Sequence, residues 1–538
     1  MPSPQTFTAG LVALAGLVTG ALGQVSLLSS RQSVQVAEST GVWPWLQYQT
    51  EPSFNPPQLS ISWNGEILEE GVILLEPRNF DGSKAGKQAG PLIMTSFGDL
   101  VWNGPKGNLS GTQEYSNFRI QELNETQYLT YWHGVRQEGL NASTGYGKVS
   151  FLDSSYETEF TVCPKLGLAT IDGKEHDCEI DYNEQFVTPW GTLLVTAYNL
   201  TQVDLTSVNG SANGWVLDSQ IHEVDIATSE SVWKWSALDH IPLNASGLPL
   251  TNGASTPADA WDYVHLDSVS PYGDNLLLNG RHTWEVYAVE RPSGEVMWTF
   301  NGETGGDWGI IPEESSFRWQ YHTRVREIGD DFVIFSMFVN HNYEGANATS
   351  GTAPTVGREF HLSLPPTKDM SPLTLNTFNE SVSLWSDSFG SMDYVPDVQN
   401  TTTRFISYGQ LPLLREFKVG PGANVTDLKW EARYGSDNEV VGYRAYKGAW
   451  TGLPSAAPKL SVEANGTAFV SWNGATAVTA WKVYQAADRN ETALTEIGIA
   501  QYRGFETAID TGATGCFVVE PVLALNTTGV NSTMVCSS

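Results

Sequence analysis

Basic residues are scarce in this chain: 29 Lys and Arg stand against 60 Asp and Glu, a formal net charge of −31 over 538 residues. A surface of that sign repels phosphate backbones and anionic bilayers, which argues against nucleic acid or a membrane surface as partner. Helical periodicity is almost missing, and no run beyond the first two dozen residues approaches the ~20 apolar residues of a membrane helix. Cysteines number four and histidines nine. C-x-x-C, H-E-x-x-H, G-x-S-x-G and EF-hand patterns are absent, which disfavours a zinc peptidase, an esterase and a calcium-loop protein of known motif. GSKAGKQ at 82–88 falls short of a phosphate loop, being one residue too short before Gly86-Lys87, with Gln88 where Ser or Thr would hold magnesium. Neither a cofactor nor a metal is expected.

What is present points outward from the cell. Residues 1–23 are an apolar run ending in small residues and read as a signal peptide, without the usual leading Lys or Arg. N-x-S/T sequons recur from Asn108 to Asn531, as expected of a secreted, extracellular glycoprotein. The four cysteines fall into two near pairs, Cys163 with Cys178 and Cys516 with Cys536, neither spaced as a zinc site. Two local disulfides in an oxidising compartment are expected.

The strands carry a repeat. EVDIATSESVWKW (223–235), AVERPSGEVMWTF (288–300), EFKVGPGANVTDLKWEA (416–432) and TSFGDLVWNG (95–104) each read strand, polar turn, strand ending in Trp. Short strands with this cadence suggest an all-β fold of radial blades, each burying both faces against its neighbours, with a stacked sandwich as the alternative. Residues 60–455 have room for a six-bladed β-propeller, preceded by an extension at 24–59 that joins it. From 458 to 538 clean alternation and a cysteine pair suggest a separate fibronectin- or Ig-like β-sandwich.

Segments along most of the chain resemble the secreted arylsulfotransferase-like (ASST) proteins of filamentous fungi, distant relatives of bacterial periplasmic aryl sulfotransferases. The carriers include GPLIMTSFGDLVWNGP, QYLTYWHGVRQEG, FVTPWGTLLVTAYNLTQVDL, VHLDSVSPYGDNLLLNGRHTWEVYAV, FRWQYHTRV and GYRAYKGAWTGLP. The resemblance implies a six-bladed propeller with a site on its axis, and transfer of sulfate between phenols without the nucleotide donor PAPS.

Sulfuryl transfer needs cations or donors aimed at the non-bridging oxygens, and an imidazole to protonate the leaving phenol or attack sulfur. By motif, His265 matches the histidine of the family's H-x-N-S, with Asp267 in place of its asparagine. A carboxylate at 267 raises the pKa of a nearby imidazole but repels a sulfate. Arg281 and His282 in NGRHTW match S-R-H-T, with Gly280 for serine. On a strand the two would point to opposite faces, so at most one should reach the site directly. Arg281 is either an anion ligand or part of a buried ion pair. Tyr321 and His322 in WQYHTRV fall on the family's Q-H-[DH]-A-R, and Arg324 reads as a structural partner. Arg358 matches the arginine after F-D-N, where Val339 replaces the aspartate, and Asn183 replaces a family histidine. His265 and His322 are thus the catalytic candidates, and Arg281, His282, Arg358, Asp267 and Tyr321 the substrate-binding ones. The expected partner is a small aromatic or sulfated molecule. His265, Arg281 or His282, His322 and Arg358 are expected to converge on one pocket. A propeller that binds such a ligand without chemistry is the competing expectation, and a pocket turned to related acid–base chemistry on a small phenolic or aromatic metabolite lies between the two.

Overall fold

The computed structural model describes residues 26–80, 83–107, 114–137, 144–341, 353–379, 383–395, 403–420, 426–490, 493–524 and 529–537. The proposed signal segment and the sequons at Asn108, Asn141, Asn347, Asn400, Asn424 and Asn526 lie outside these residues. The protein is all-β, and among the described residues no helix is long and apolar enough to cross a membrane.

The Trp-ended hairpins are the third and fourth strands of successive antiparallel sheets. Sheet II runs Glu114–Leu123, Thr126–Arg136, Gly145–Leu152, Thr158–Val162, and sheet III runs Gln185–Val187, Thr192–Val203, Gly214–Asp225, Ser231–Ser236. Sheet IV comprises Leu266–Tyr272, Asn275–Gly280, Glu285–Val289 and Val296–Asn301, and sheet V comprises Gln320–Ile328, Phe332–Val339, Val356–Ser363 and Leu373–Phe378. Sheet VI, of Ser391–Tyr394, Thr403–Ser407, Leu413–Val419 and Thr426–Arg433, gains Ser60–Trp63 at its edge. Sheet I joins the two ends of this region: Ala445–Gly448 pairs with Val72–Leu75, followed by Leu92–Met94 and Leu100–Asn103. In all six sheets the third and fourth strands slip register by a bulge, which strengthens the twist at the same place each time.

The hairpin tryptophans occupy the gaps between consecutive sheets. Trp235 of sheet III packs with Val269 and Leu278 of sheet IV and donates from its indole to the Gly294 carbonyl (2.9 Å). Trp430 of sheet VI does the same with Ile73 and Leu92 of sheet I and with the Ser96 carbonyl (2.9 Å). Such rings each bury roughly 150–250 Å², about 4–6 kcal/mol at ~25 cal/mol per Å². Each sheet shares an apolar core with the next, and sheet VI shares one with sheet I.

Beyond residue 458 two further sheets enclose a core around the fully buried Trp481. Within the 24–59 segment, Leu46, Tyr48 and Leu59 pack into the core that sheets I and VI share, whereas the first strands leave those sheets. Leu27–Leu28 pairs with Ile499–Ala500, and Ser30–Gln32 with Thr507–Ile509, so the first described strands complete the C-terminal sheets. Unpaired edges there recruit the nearest extended chain with free backbone donors, and these two short strands supply it.

Both cysteine pairs are bonded, Cys163 to Cys178 and Cys516 to Cys536, closing loops with separations of 15 and 20 residues. Loops of that length restrict the unfolded chain by about 3 kcal/mol each. Reduction is expected to lower the melting temperature, and non-reducing peptide maps should recover both linked pairs. Free thiols at these positions would contradict the pairing.

Candidate functional site

The first strands of sheets II, V and VI, with Ala445–Gly448, touch one another in turn, and Leu266–Tyr272 bridges sheets III and V. Side chains from different sheets therefore meet where these inner strands begin.

The nine residues WDYVHLDSV (261–269) supply one half of an imidazole cluster. His265 precedes the inner strand of sheet IV with φ 53°, a left-handed conformation that costs a non-glycine residue roughly 1–2 kcal/mol. That turn directs the ring inward, where it is 2% exposed. Its Nδ1 donates to the Asp262 carboxylate at 2.6 Å, while Nε2 is buried with no hydrogen-bond partner. Burial pushes the Asp262 carboxyl upward, but His265, His282 and Arg281 outweigh this and hold it below its usual value. The carboxylate thus holds a proton on Nδ1, so that Nε2 is the ring position left to give or take one. Tyr198 packs beside the ring, its hydroxyl donating to the Leu266 carbonyl at 2.8 Å.

Arg281 and His282 form the other half, and the expected opposition of their side chains is not what the structure shows. The strand ends at Gly280, and residues 281–284 form a turn, so strand alternation does not apply. Arg281 Nη1 donates to His282 Nε2 at 2.9 Å, and His282 Nδ1 donates to the Asp262 carbonyl at 2.5 Å. Burial above all pushes the His282 pKa down, to about 3, so it stays neutral. Its ring stacks on His265 with centroids 4.9 Å apart. A Cβ at Gly280 would run into Thr283 Oγ1 and come within 2.9 Å of the Tyr287 ring, a local reason for glycine where the family has serine. The Arg281 guanidinium lies over Tyr321 and Trp319, 5.0 and 5.4 Å from their centroids, and Nη2 donates to the Asp387 carbonyl.

Asp262, His265 and His282 also have the composition of a metal site. Both Nδ1 atoms, however, are turned to oxygens of Asp262, and Arg281 donates into His282. Such a set fits a hydrogen-bonded acid–base relay better than a cation.

His322 and Arg358 do not join this group. The His322 backbone N–H donates to Asp267 Oδ2 at 2.9 Å, its Nδ1 to the Met392 carbonyl at 3.0 Å, and its Nε2 lies 3.4 Å from the Tyr446 hydroxyl. Burial, then Arg324, Arg444, Arg326 and Arg119, press its pKa well below the usual value. Arg358 donates to the Ser316 carbonyl, and to that of Glu314 at 2.6 Å, so it braces the 313–316 turn. Burial lowers its pKa to about 10.

Asp267 belongs to a second, purely ionic cluster. Its Oδ1 accepts from Asn279 and its Oδ2 lies 3.4 Å from Arg444, while burial raises its pKa. Glu184, fully buried, takes Arg119 at 3.1 Å, Arg324 at 2.5 Å and Arg444 at 3.3 Å. Burial pushes its carboxyl up, but the three guanidiniums together hold it at about 2. Arg324 is thus the structural partner its motif suggested, while Asp262, Glu184 and Arg444 were not anticipated. A carboxylate three residues before His265 was the one readable sign of Asp262. Asn183, in the place of a family histidine, donates to Asp181 at 2.7 Å and lies 3.4 Å from the Tyr198 hydroxyl.

A buried carboxylate–imidazole pair beside a guanidinium thus sits where several sheets of an all-β protein meet. The family model described as Arylsulfotransferase (ASST) matches residues 119–422, more than half of the chain, and the protein belongs to that family. No curated protein sequence matches it. Among solved structures it is similar to a Bacteroides caccae protein of unknown function: 12% identity, 70% of this chain and 99% of that one, TM-score 0.36. It is also similar to the Pseudomonas aeruginosa periplasmic gluconolactonase PpgL: 11% identity, 69% and 99%, TM-score 0.31. A third is the Penicillium chrysogenum α-L-arabinanase complexed with arabinobiose: 9% identity, 85% and 98%, TM-score 0.31. At these values none of them bears on the chemistry below.

Proposed function

We propose that this is an extracellular aryl sulfuryl transferase, independent of PAPS, acting on a small phenolic metabolite at the Asp262–His265–Arg281–His282 cluster. Sheets I–VI are taken as six blades of a propeller over residues 60–455, and residues 458–538, with the first described strands, as a β-sandwich. The shared cores running from sheet I round to sheet VI and back support that reading. The two disulfides fit an oxidising compartment.

The observation that carries the chemistry is His265, with Nδ1 tied to Asp262 and Nε2 unpartnered. In the proposed step the Nε2 lone pair attacks the sulfur of an aryl sulfate, an N–S bond forms, and the aryl O–S bond breaks to release phenolate. The acceptor phenol gives up its proton, its oxygen attacks sulfur, and the imidazole is restored. Across the cycle one proton passes from acceptor to leaving phenol. Arg281 supplies positive charge for the sulfuryl oxygens, and Tyr321, beneath that guanidinium, offers a ring face to the aryl group. Release of 4-nitrophenol from 4-nitrophenyl sulfate is expected to depend on an added phenol and not on PAPS. No transfer to any phenol would refute it.

A second reading, binding without turnover, is favoured by the 2% exposure of His265 and by Val339 and Asn183 at altered family positions. Saturable binding of an aryl sulfate that is returned unchanged would select it.

A further inference from the structure

The ionic cluster walls off a separate space. A cavity of about 710 Å³ lies toward the far ends of the inner strands, lined by Arg119, Arg324, Arg326 and Lys447. Phe186, Tyr394 and Tyr446 line it as well, whereas His265, Arg281 and His282 do not. In a chain with net charge −31, four cations around one cavity call for a reason.

The immediate pairing leaves positive charge over. Arg119, Arg324 and Arg444 share the two carboxylates Glu184 and Asp267, three charges against at most two. Arg326 is matched by Asp393 at 2.7 Å and Lys447 by Glu416 at 2.6 Å, and the exposed Glu122 is the other acidic residue of the lining. Burial first, and then Arg324, Arg444, Arg326 and Arg119, act to keep a proton off His322.

Donors are also left over. Both hydrogen bonds of Arg119 are made by Nη2, and its Nε is buried without a partner. Ser270 Oγ, in the same lining, is likewise buried and unpartnered. Buried polar groups are seldom left so unless something else completes them. The aromatic rings sit against the cations: Arg119 lies 5.2 Å from the Phe186 centroid, and Arg326 lies 4.3 Å from that of Tyr394.

We infer that this cavity is a second binding site, distinct from the imidazole cluster, for a small aromatic anion whose charged group meets Arg119 and Ser270 and whose ring lies among Phe186, Tyr394 and Tyr446. One negative charge offsets the surplus of the ionic cluster, and a flat ring suits the aromatic walls.

Isothermal titration of the full chain with benzoate, an aromatic anion that lacks the phenol oxygen on which the imidazole cluster is proposed to act, tests this. Saturable binding of one equivalent is expected, weakened tenfold or more by Arg119→Gln. Because that variant perturbs a buried cluster, Ala449→Trp provides a second test. Ala449 is an exposed lining residue outside every ion pair named above, and a ring there narrows the cavity and should cut affinity at least fivefold. His265→Ala should bind as the parent does. Absence of saturable binding, or unchanged affinity in Ala449→Trp, would overturn the site, and loss of binding in His265→Ala would assign the anion to the imidazole cluster instead.

Discussion

Replacing Glu184 by Gln is expected to destabilise the protein by about 3–5 kcal/mol, the range for removing one member of a buried ionic group. The carboxylate is fully buried and is shared by Arg119, Arg324 and Arg444. Gln keeps the shape but leaves three desolvated guanidiniums facing Asp267 alone. Urea unfolding should show a lower midpoint with an unchanged slope. The pH dependence follows from the direction of the shift. Glu184 is held at about 2 in the folded protein against an ordinary 4.5, so its contribution is complete above 4.5 and is lost as pH falls through about 2. The gap between parent and variant should therefore narrow in acid. Asp181 works the other way: burial raises it to about 7, so its contribution declines as pH climbs from the ordinary carboxylate range toward 7. Pairing Glu184→Gln with Arg444→Met should cost less than the sum of the two, since the second change removes a charge the first leaves unpaired. Equal stability of Glu184→Gln and parent at neutral pH would mean that the cluster is hydrated and not the buried group described here.

The all-β architecture and the Trp-ended hairpins were legible because they are local. Turn residues and alternation set each hairpin, and a large ring at its end has only the gap between sheets to occupy. His265 was legible by motif, but its partners were less so. Arg281 and His282 were assigned to opposite faces on strand alternation, and the turn after Gly280 removed the premise. His322 and Arg358 shared the chemistry of a site without sharing its place, because sequence spacing says nothing about which sheet turns a side chain toward which neighbour. Glu184 and Arg444 meet across 260 positions, and no pattern within one strand announces such a pair. The destination of residues 27–32 was hidden for the same reason: strand partners at 499–509 are chosen by free sheet edges formed by the other end of the chain.

His265→Ala is expected to reduce sulfuryl transfer by at least about 10²- to 10⁴-fold, the loss typical of a positioned acid–base group, and also to lower folding stability, because it leaves the buried Asp262 carboxylate without its closest partner. Asp262→Asn should fall in the same range for a different reason. An amide can still touch Nδ1 but no longer holds the proton there, so the Nε2 lone pair is no longer assured. Raising the pH should not rescue it. The alternative carriers are weaker. His322 has both ring nitrogens occupied by Met392 and Tyr446, and no imidazole lies anywhere in residues 391–418. Of the tyrosines there, Tyr394 is pushed upward by burial, and Tyr408 takes a hydrogen bond from Arg415 at 3.2 Å. Tyr394 is therefore not a ready nucleophile at neutral pH. Quenching a reaction with an aryl sulfate and mapping sulfated peptides should therefore yield either an adduct on the peptide holding His265 or, if transfer is direct, none. A stable adduct within 391–418, or full activity in His265→Ala, would move the chemistry away from the Asp262–His265 pair.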